Sequence, residues 1–333
     1  MRKKLLVAAV AVVVVLFCMR GTGQAQEKEK AAAKKIAIRA GRLVDGKSET
    51  ALTSVLILIE GERIVSVSAG GTAPAGVEVI DLSNATVLPG FVDTHTHLLL
   101  NGDITAEDYD VQLLKQSIPY RAILSSRNAR IALEHGFTTM RDLETEGAMF
   151  ADVDIKNAIA NGEVPGPRMQ VATRAMTPTG MYPLLGYSWE LQVPKGVQYV
   201  DGVEGARKAV REQVMYGADW IKYYSDRRYH FEADGVLHSM VNFTDEEAKA
   251  IVDETHRLGK KAAAHAIGSD GIAAALRAGV DTIEHGDGLT DALIDRKTDA
   301  PSAAKRRATA RPIPRPDPVM RATWSFSSIG SGE

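Results

Sequence analysis

Residues 88–97 read Leu-Pro-Gly-Phe-Val-Asp-Thr-His-Thr-His, and this stretch decides how the rest of the chain is interpreted. The apolar run at residues 86–92, which contains the Pro-Gly pair, predicts a buried strand. Side chains two residues apart on a strand project to the same side, so His95 and His97 should point together. Two imidazoles that converge from one strand end can bind a metal ion, provided that further ligands come from elsewhere. The alternative is two polar residues at a strand end, and the later strand ends decide between the two interpretations.

Short apolar strands alternate with helical patterns from residue 87 onward. Helices are predicted at residues 120–134, 203–216 and 245–258, the last opened by a capping box from Thr244 to Glu247, and Ser269 and Asp270 offer caps for another. Repeated strand–helix units predict a parallel sheet, and six in series favour a TIM (β/α)8-type α/β barrel over an open sheet. No Gly-x-Gly-x-x-Gly follows a strand, which argues against a dinucleotide fold. The predicted strands are residues 87–94, 138–143, 168–173, 220–225, 261–266 and 282–285.

The strand–helix pattern supplies about six units and then stops, so the barrel is expected to be incomplete. Ahead of it, a hairpin around Gly61 and a strand at residues 77–82 predict a small partial β-sandwich domain. The segment after residue 295 is rich in Pro and Arg and should be disordered. The predicted division is a signal peptide at 1–25, a linker at 26–35, the partial β-sandwich at 36–86, the incomplete barrel at 87–295 and a disordered tail at 296–333.

The amino terminus has the layout of a secretory signal. Three basic residues precede an apolar run at residues 5–18, and small residues follow up to Ala25. We therefore expect a secreted or periplasmic protein without membrane association once the signal is cleaved; an uncleaved anchor is the alternative. Cys18 is the only cysteine and lies within the signal, so no disulfide is expected.

The composition of the chain limits its partners. The formal net charge is -2 and aromatic residues make up 6%. Neither value favours a nucleic-acid partner. A small-molecule or dipeptide substrate is expected instead, and a homo-oligomer is compatible with the sequence.

Metal-ligand residue types recur at the ends of the predicted strands. Because chemistry in such barrels gathers at the carboxyl ends of the strands, these side chains should face one mouth. Neutral imidazoles suit zinc, and a catalytic zinc activates water and polarises a carbonyl. We expect one or two divalent ions, with Zn2+ favoured. The candidate ligands are His95, His97, Lys222, His265 and His285.

Four further residues are weaker candidates for substrate contact. Arg141 ends the second strand, where an internal ion pair is an equal alternative, and Arg174 follows the third. Tyr223 and Tyr224 follow Lys222, and one of them should face the pocket. Glu284 precedes His285 on its strand and should point to the opposite face.

These residues resemble the motifs of a known family. Residues 88–97 resemble the first-strand signature of the amidohydrolase superfamily, and residues 217–222, 261–265 and 282–286 look like its fourth, fifth and sixth strands. Residues 37–90 and 138–142 are similar to the branch that holds imidazolonepropionase-like and prolidase-like dipeptidase enzymes. The resemblance implies that His95 and His97 bind the more buried metal and that His265 and His285 bind the second. It also implies that Lys222 is carboxylated and bridges both metals.

The role implied for Lys222 has a physical basis. An ammonium cannot bind a cation, but burial beside metal ions lowers the pKa of a lysine, and the neutral amine can then capture carbon dioxide. Lys222, His265 and His285 are therefore the expected catalytic residues. The chain departs from the family at its final ligand, an Asp that ends the eighth strand and also acts as general base. Asp317, within Arg-Pro-Asp-Pro, cannot lie in a central strand.

The expected function is metal-dependent hydrolysis through a metal-bound hydroxide. The target would be an amide, peptide or cyclic amide C–N bond in a small substrate such as a dipeptide or an N-acyl amino acid. One alternative is a truncated remnant without activity, because the acidic strand end is missing. The other is a deaminase of the same superfamily, which would work with one metal and an unmodified Lys222.

Overall fold

The structure, a computed structural model, describes residues 33–101, 106–182 and 187–294. The predicted signal peptide, most of the predicted linker and the predicted tail lie outside the described residues. None of the described helices is long and apolar enough to cross a membrane.

The described chain begins with a four-stranded sheet in the order β3-β2-β1-β4. Strand β1 pairs antiparallel with β2 and parallel with β4. The predicted hairpin around Gly61 is confirmed, with Gly61 at a φ of 60° in the turn between β2 and β3. The described residues here contribute one sheet, so the second layer of a sandwich stays a prediction. The strands are β1 Lys35–Leu43, β2 Leu52–Glu60, β3 Arg63–Ala69 and β4 Glu78–Val87.

Six parallel strands follow at the predicted places and give a TIM-barrel-like α/β fold. Three of them form the sheet β5-β6-β7, and three lie in the sheet β14-β13-β10-β8-β9. The two sheets are joined by the Asp219 N–H, which donates to the Val171 carbonyl at 2.8 Å. The six strands are β5 Phe91–Thr96, β6 Phe137–Asp142, β7 Arg168–Val171, β10 Trp220–Tyr224, β13 Lys261–Ala266 and β14 Thr282–His285.

Six helices are described, and four of them were predicted. The capping box at the start of α5 is confirmed. The predicted caps Ser269 and Asp270 are wrong, because α6 already begins at Ser269 and Gly268 occupies the cap position without a side-chain hydrogen bond. Helices α1 and α3 were not predicted from the sequence. The helices are α1 Ala106–Lys115, α2 Ile118–Glu134, α3 Ala151–Ala160, α4 Gly202–Met215, α5 Asp245–Arg257 and α6 Ser269–Ala278.

Side-chain alternation along the strands separates the helix layer from the barrel interior. On β13, Ala262 and Ala264 join the core formed with the helices, including Ile251 of α5. Ala263 faces the other way and packs with Trp220 inside the barrel. His265 has the same parity as Ala263, so this alternation places its imidazole at the inner face of the strand end.

The predicted bounds of the first barrel strand are partly wrong. Val87 ends β4 of the amino-terminal sheet, and the barrel strand begins only at Phe91. One apolar run therefore covers the junction of two sheets, with Pro89 and Gly90 as the break. A Cβ on Gly90 would lie 2.1 Å from Thr138 Oγ1, so the junction packs too closely against β6 for a larger residue.

Two pairs of strands were missed entirely. The short strands β8 Met176–Thr177 and β9 Gln198–Tyr199 extend the sheet beside β10. The hairpin of β11 Asp226–Phe231 and β12 Leu237–Val241 follows β10 almost directly. Because β11 starts two residues after the end of β10, it places Arg227 and Tyr229 at the mouth of the barrel.

Within the described residues, β5 pairs only with β6, and β14 pairs only with β13. The gap between β5 and β14 contains a cavity of ≈ 480 Å³ along the barrel interior. In the described residues, β5 and β14 are connected across this gap by side chains and not by backbone hydrogen bonds. The residues lining it include Thr94, Arg141, Trp220, Thr282 and Glu284.

We predict that Thr244→Ala lowers the free energy of unfolding by about 1 kcal/mol, the usual cost of losing a helix cap. The Thr244 Oγ1 accepts from the Glu247 N–H at 3.3 Å, and the Thr244 N–H donates to the Glu247 carboxylate at 3.0 Å. Urea titration followed by circular dichroism measures the loss. Thr244→Ser keeps the hydroxyl and should stay within about 0.5 kcal/mol of the parent; equal losses in both variants would contradict the role of the box.

Candidate metal centre

The four strand-end histidines predicted as ligands lie in one contiguous cluster. Ring centroids are 5.2 Å apart for His95 and His97, and 4.9 Å apart for His95 and His285. His265 completes the row at 4.5 Å from His285. Strands β5, β13 and β14 thus bring together imidazoles that are up to 190 residues apart in sequence, at the carboxyl ends of the strands.

The rings of His95 and His97 are held through Nδ1. His95 Nδ1 lies 2.9 Å from Glu284 Oε2, and His97 Nδ1 lies 3.3 Å from the Glu144 carbonyl oxygen. Both partners can only accept, so both Nδ1 atoms donate, which leaves Nε2 as the nitrogen of each ring that can bind a metal ion. A metal-binding histidine is normally oriented in this way by a carboxylate or a carbonyl.

Burial keeps the other two imidazoles neutral at physiological pH. Loss of hydration is the main reason why the pKa of His265 falls to about 2 and that of His285 to about 4, and the charge of Lys222 lowers both further. Neutral imidazole is the form that binds metal. In the structure, His265 Nε2 lies 2.6 Å from the Tyr229 hydroxyl, so that hydroxyl occupies the direction from which an ion would be bound.

Lys222 is almost completely buried beneath this cluster, with 1% of its surface exposed. Burial lowers its pKa to about 8, although Glu144, Glu284 and Glu146 act in the opposite direction. No carboxylate of the described residues lies within 4 Å of its Nζ. More of this amine is therefore neutral near pH 8 than in an exposed lysine, and the neutral amine is the form that reacts with carbon dioxide.

The prediction that Glu284 points away from the site is wrong. Its carboxylate lies inside the barrel, where Oε2 is bonded to His95 and Oε1 accepts from Arg141 Nη2 at 2.8 Å. His285 has a φ of 74°, in the left-handed region, and this turns its ring back towards the cluster. The side chains of Glu284 and His285 therefore do not point to opposite faces, because the extended strand ends at His285.

No hydrogen bond or ring contact joins Arg141 or Arg174 to the four histidines in the described part of the chain. Arg141 forms the internal ion pair that was the alternative to substrate contact, and its guanidinium also stacks on Trp220 at 4.4 Å. The pKa of Arg174 is lowered by burial, and the charge that opposes this comes from Glu212 on α4.

Tyr224, and not Tyr223, faces the site. Tyr223 packs in the helix-side core against Phe243, at 5.9 Å between ring centroids. The Tyr224 ring lies 4.6 Å from that of His265, and its hydroxyl donates to Glu144 Oε2 at 2.6 Å. Alternation on β10 explains the difference, because Tyr224 shares the inner face with Lys222.

Two carboxylates that the sequence reading missed lie beside His97. Glu144 and Glu146 follow β6 by two and four residues, and both are buried. Their carboxylate oxygens and a ring nitrogen of His97 all lie within 4.8 Å of one another. Burial, reinforced by the charge of Glu146, raises the pKa of Glu144 well above its usual range. The signal in the sequence is that both acids follow a predicted strand end, as the histidines do.

Three observations fit a divalent metal ion at this site. His95 and His97 are held by bonds at Nδ1, which leaves Nε2 for a metal ion, and His265 and His285 are held neutral. Glu144 Oε1 is buried without a hydrogen-bond partner among the described residues. A cluster of buried imidazoles and carboxylates with unmatched acceptors is stabilised by a cation.

Residues 86–298 match the sequence profile of the Amidohydrolase family. An ochratoxinase of Aspergillus niger is 28% identical over 277 residues, covering 76% of this chain and 54% of that protein. The crystal structure of a prolidase complexed with N-methylphosphonate-L-proline is 30% identical, with a TM-score of 0.68, covering 80% of this chain and 64% of that chain. An imidazolonepropionase of Arthrobacter sp. is 45% identical over 56 residues, 17% of this chain and 14% of that protein.

These matches confirm the resemblance seen in the sequence. They include both kinds of enzyme in the branch to which residues 37–90 and 138–142 are similar. The chain spans about half the length of the ochratoxinase that it matches.

We predict that Glu284→Gln lowers the unfolding free energy of the metal-free protein at pH 7 by about 3 kcal/mol, because it leaves the buried Arg141 guanidinium without a charged partner. Although burial raises the pKa of Glu284, bonds from His95 and Thr282 and the charge of Arg141 bring it down to about 2. A depressed pKa means that the carboxylate stabilises the fold above pH 4.5 and loses this effect as the pH falls towards 2.

Urea titrations from pH 7 to pH 2.5 measure the effect. The difference between parent and variant should narrow below pH 4.5, because protonated Glu284 resembles glutamine. Glu163→Gln, at an exposed position after α3, serves as the control and should change stability by less than about 0.5 kcal/mol. A difference that stays constant over the whole pH range would rule out the ionised pair.

Proposed function

The chain belongs to the amidohydrolase family, and on that premise we propose that it is a metal-dependent hydrolase of amide or peptide C–N bonds in small substrates. The observation that carries the proposal is the row of four strand-end histidines above a buried lysine. Two of the histidines are oriented through Nδ1, and the other two are kept neutral by burial. Such an arrangement has the properties of a ligand set.

The ligands in this proposal are His95 and His97 for one ion and His265 and His285 for a second, with Lys222 between them as a carbamate. Carboxylation gives Lys222 the anionic oxygens that an ammonium lacks. Divalent ions such as Zn2+, once bound, would activate a water molecule and polarise the substrate carbonyl. The lowered pKa of Lys222 and the lack of an ion pair at its Nζ among the described residues support the modified form.

The chain's own residues then have separate tasks. Glu284 and the Glu144 carbonyl keep the rings of His95 and His97 in a fixed orientation. Burial raises the pKa of Tyr229, so its hydroxyl stays protonated at the mouth and can donate to an oxygen that gains negative charge. Removing such a donor typically costs a factor of about 100 to 1,000 in rate in other hydrolases.

Small dipeptides and N-acyl amino acids are the substrates that we propose. The prolidase and the ochratoxinase among the similar proteins favour amide-type bonds. An exported enzyme, as the amino-terminal sequence suggests, would meet such compounds outside the cytoplasm.

We predict that Lys222→Ala lowers the bound metal below half of the parent's content and lowers kcat/KM for dipeptides by more than about 100-fold, since even residues that only orient ligands cost about 10–100-fold. Elemental analysis and a dipeptide screen measure the two effects, and 13C NMR after incubation with labelled bicarbonate reports the carbamate of the parent protein. Lys249→Ala removes an exposed lysine on α5 and should change neither quantity.

Three outcomes separate the alternatives for this site. Activity without a carbamate signal and with one ion per chain would favour a deaminase-like site instead. Dipeptide turnover that His95→Ala abolishes would exclude the inactive remnant. Parent protein with less than a tenth of an equivalent of metal after reconstitution would contradict the proposal.

A further inference from the structure

We propose that Glu144 and Glu146 form, with His97, a carboxylate-rich part of the cation site, so that the ion held by His97 takes two carboxylates beyond the histidine and lysine ligand set. The ligand class is a divalent ion that accepts both imidazole and carboxylate, with Mn2+ favoured more strongly than at an all-histidine site. The inference goes beyond the proposed function, because it concerns cation binding by two residues to which the family motifs assign no role.

The first support is the geometry of the three side chains. Their ligand atoms lie within 4.8 Å of one another, which is compatible with one ion bound between them. The Glu144 backbone carbonyl also holds His97 Nδ1 at 3.3 Å. One residue therefore orients the imidazole and places a carboxylate beside it.

The second support is an unmatched oxygen. Glu144 has no exposed surface, and its Oε1 has no hydrogen-bond partner among the described residues. Its Oε2 is fixed by the Tyr224 hydroxyl at 2.6 Å. A buried carboxylate oxygen without a donor is costly, and a bound cation would remove that cost.

The third support is the outer layer of hydroxyl groups. Glu146 Oε2 accepts from Tyr109 at 2.8 Å and from Tyr182 at 3.2 Å. Glu146 has a φ of 49°, so its backbone is strained in the left-handed region where the carboxylate is presented. Each acid thus has one oxygen fixed by tyrosine, in the way that outer residues orient the ligands of a metal.

Neighbouring cations do not neutralise this pair by direct contact. The Arg227 guanidinium lies over the rings of Tyr182 and Tyr224, at 4.3 and 4.6 Å. Within the described part of the chain, no arginine or lysine nitrogen lies within 4 Å of either carboxylate. Two carboxylates this close in a buried site oppose each other's ionisation, and a divalent ion would allow both to be ionised and would compensate both charges.

The test compares metal affinity in Glu144→Gln, Glu146→Gln and the parent protein. Mn2+ binding is followed by electron paramagnetic resonance, and Zn2+ binding by competition with a chromophoric chelator. We expect each variant to lose at least about 10-fold in Mn2+ affinity and less in Zn2+ affinity, because carboxylate ligands matter more to the harder ion. Glu163→Gln, the same change at an exposed position, should leave both affinities unchanged.

Thermal unfolding with and without Mn2+ separates a ligand from a purely structural residue. A ligand adds stability only through the bound ion, so Glu144→Gln should leave the metal-free Tm unchanged or higher and reduce the rise caused by Mn2+. A structural role would instead lower the metal-free Tm and leave that rise intact, which would overturn the inference. Unchanged Mn2+ affinity in both variants would overturn it equally.

The result is independent of the hydrolase proposal. Turnover of dipeptides together with unaltered Mn2+ affinity in the variants would refute this cation position alone. Mn2+ binding that depends on Glu144, in a protein that hydrolyses no dipeptide, would refute only the proposed function.

Discussion

The carboxylate of Glu284 is the point on which the described barrel and its site both depend. It accepts bonds from Arg141 of β6, from His95 of β5 and from Thr282 of its own strand. No backbone ladder joins β14 to β5 in the described residues, so these side-chain bonds connect the first and sixth strands. The same carboxylate fixes the ring of His95. One buried charge therefore sets both the distance between two strands and the direction of a candidate ligand.

Burial determines the protonation states around that carboxylate. It keeps His265 and His285 neutral and lowers the pKa of Lys222 to about 8, while it raises that of Glu144. Groups held in these states, with an unmatched oxygen on Glu144, cost stability in a protein without bound cations. Such a site gains most when positive charge enters it. The fold thus buries these ionisable side chains where they lower the stability of the cation-free protein and favour cation binding.

The residues around the site come from two kinds of element. Histidines and Lys222 lie on or directly after rigid strands, where alternation and pairing fix their positions. Glu144 and Glu146 lie in the loop after β6, and Arg227 and Tyr229 lie on the β11–β12 hairpin. The strand residues lie in the motifs that resemble the amidohydrolase superfamily, whereas the loop and hairpin residues lie outside those motifs within the matched region. Loops on a common scaffold are where members of one fold differ in function.

Local sequence patterns predicted the presence of the six barrel strands, four of the helices, and the clustering of His95, His97, His265 and His285. Period-two and helical patterns are local, and parallel strands bring their carboxyl ends to one edge whatever the details of packing. The folded chain was needed to show that Glu284 faces inward, that Arg141 forms an ion pair with it and that two acids lie beside His97. These outcomes depend on a positive φ at His285 and on contacts between residues as far apart as 141 and 284. A local pattern cannot encode them, because the free energy of a buried charge is set by partners that only the folded chain brings within reach.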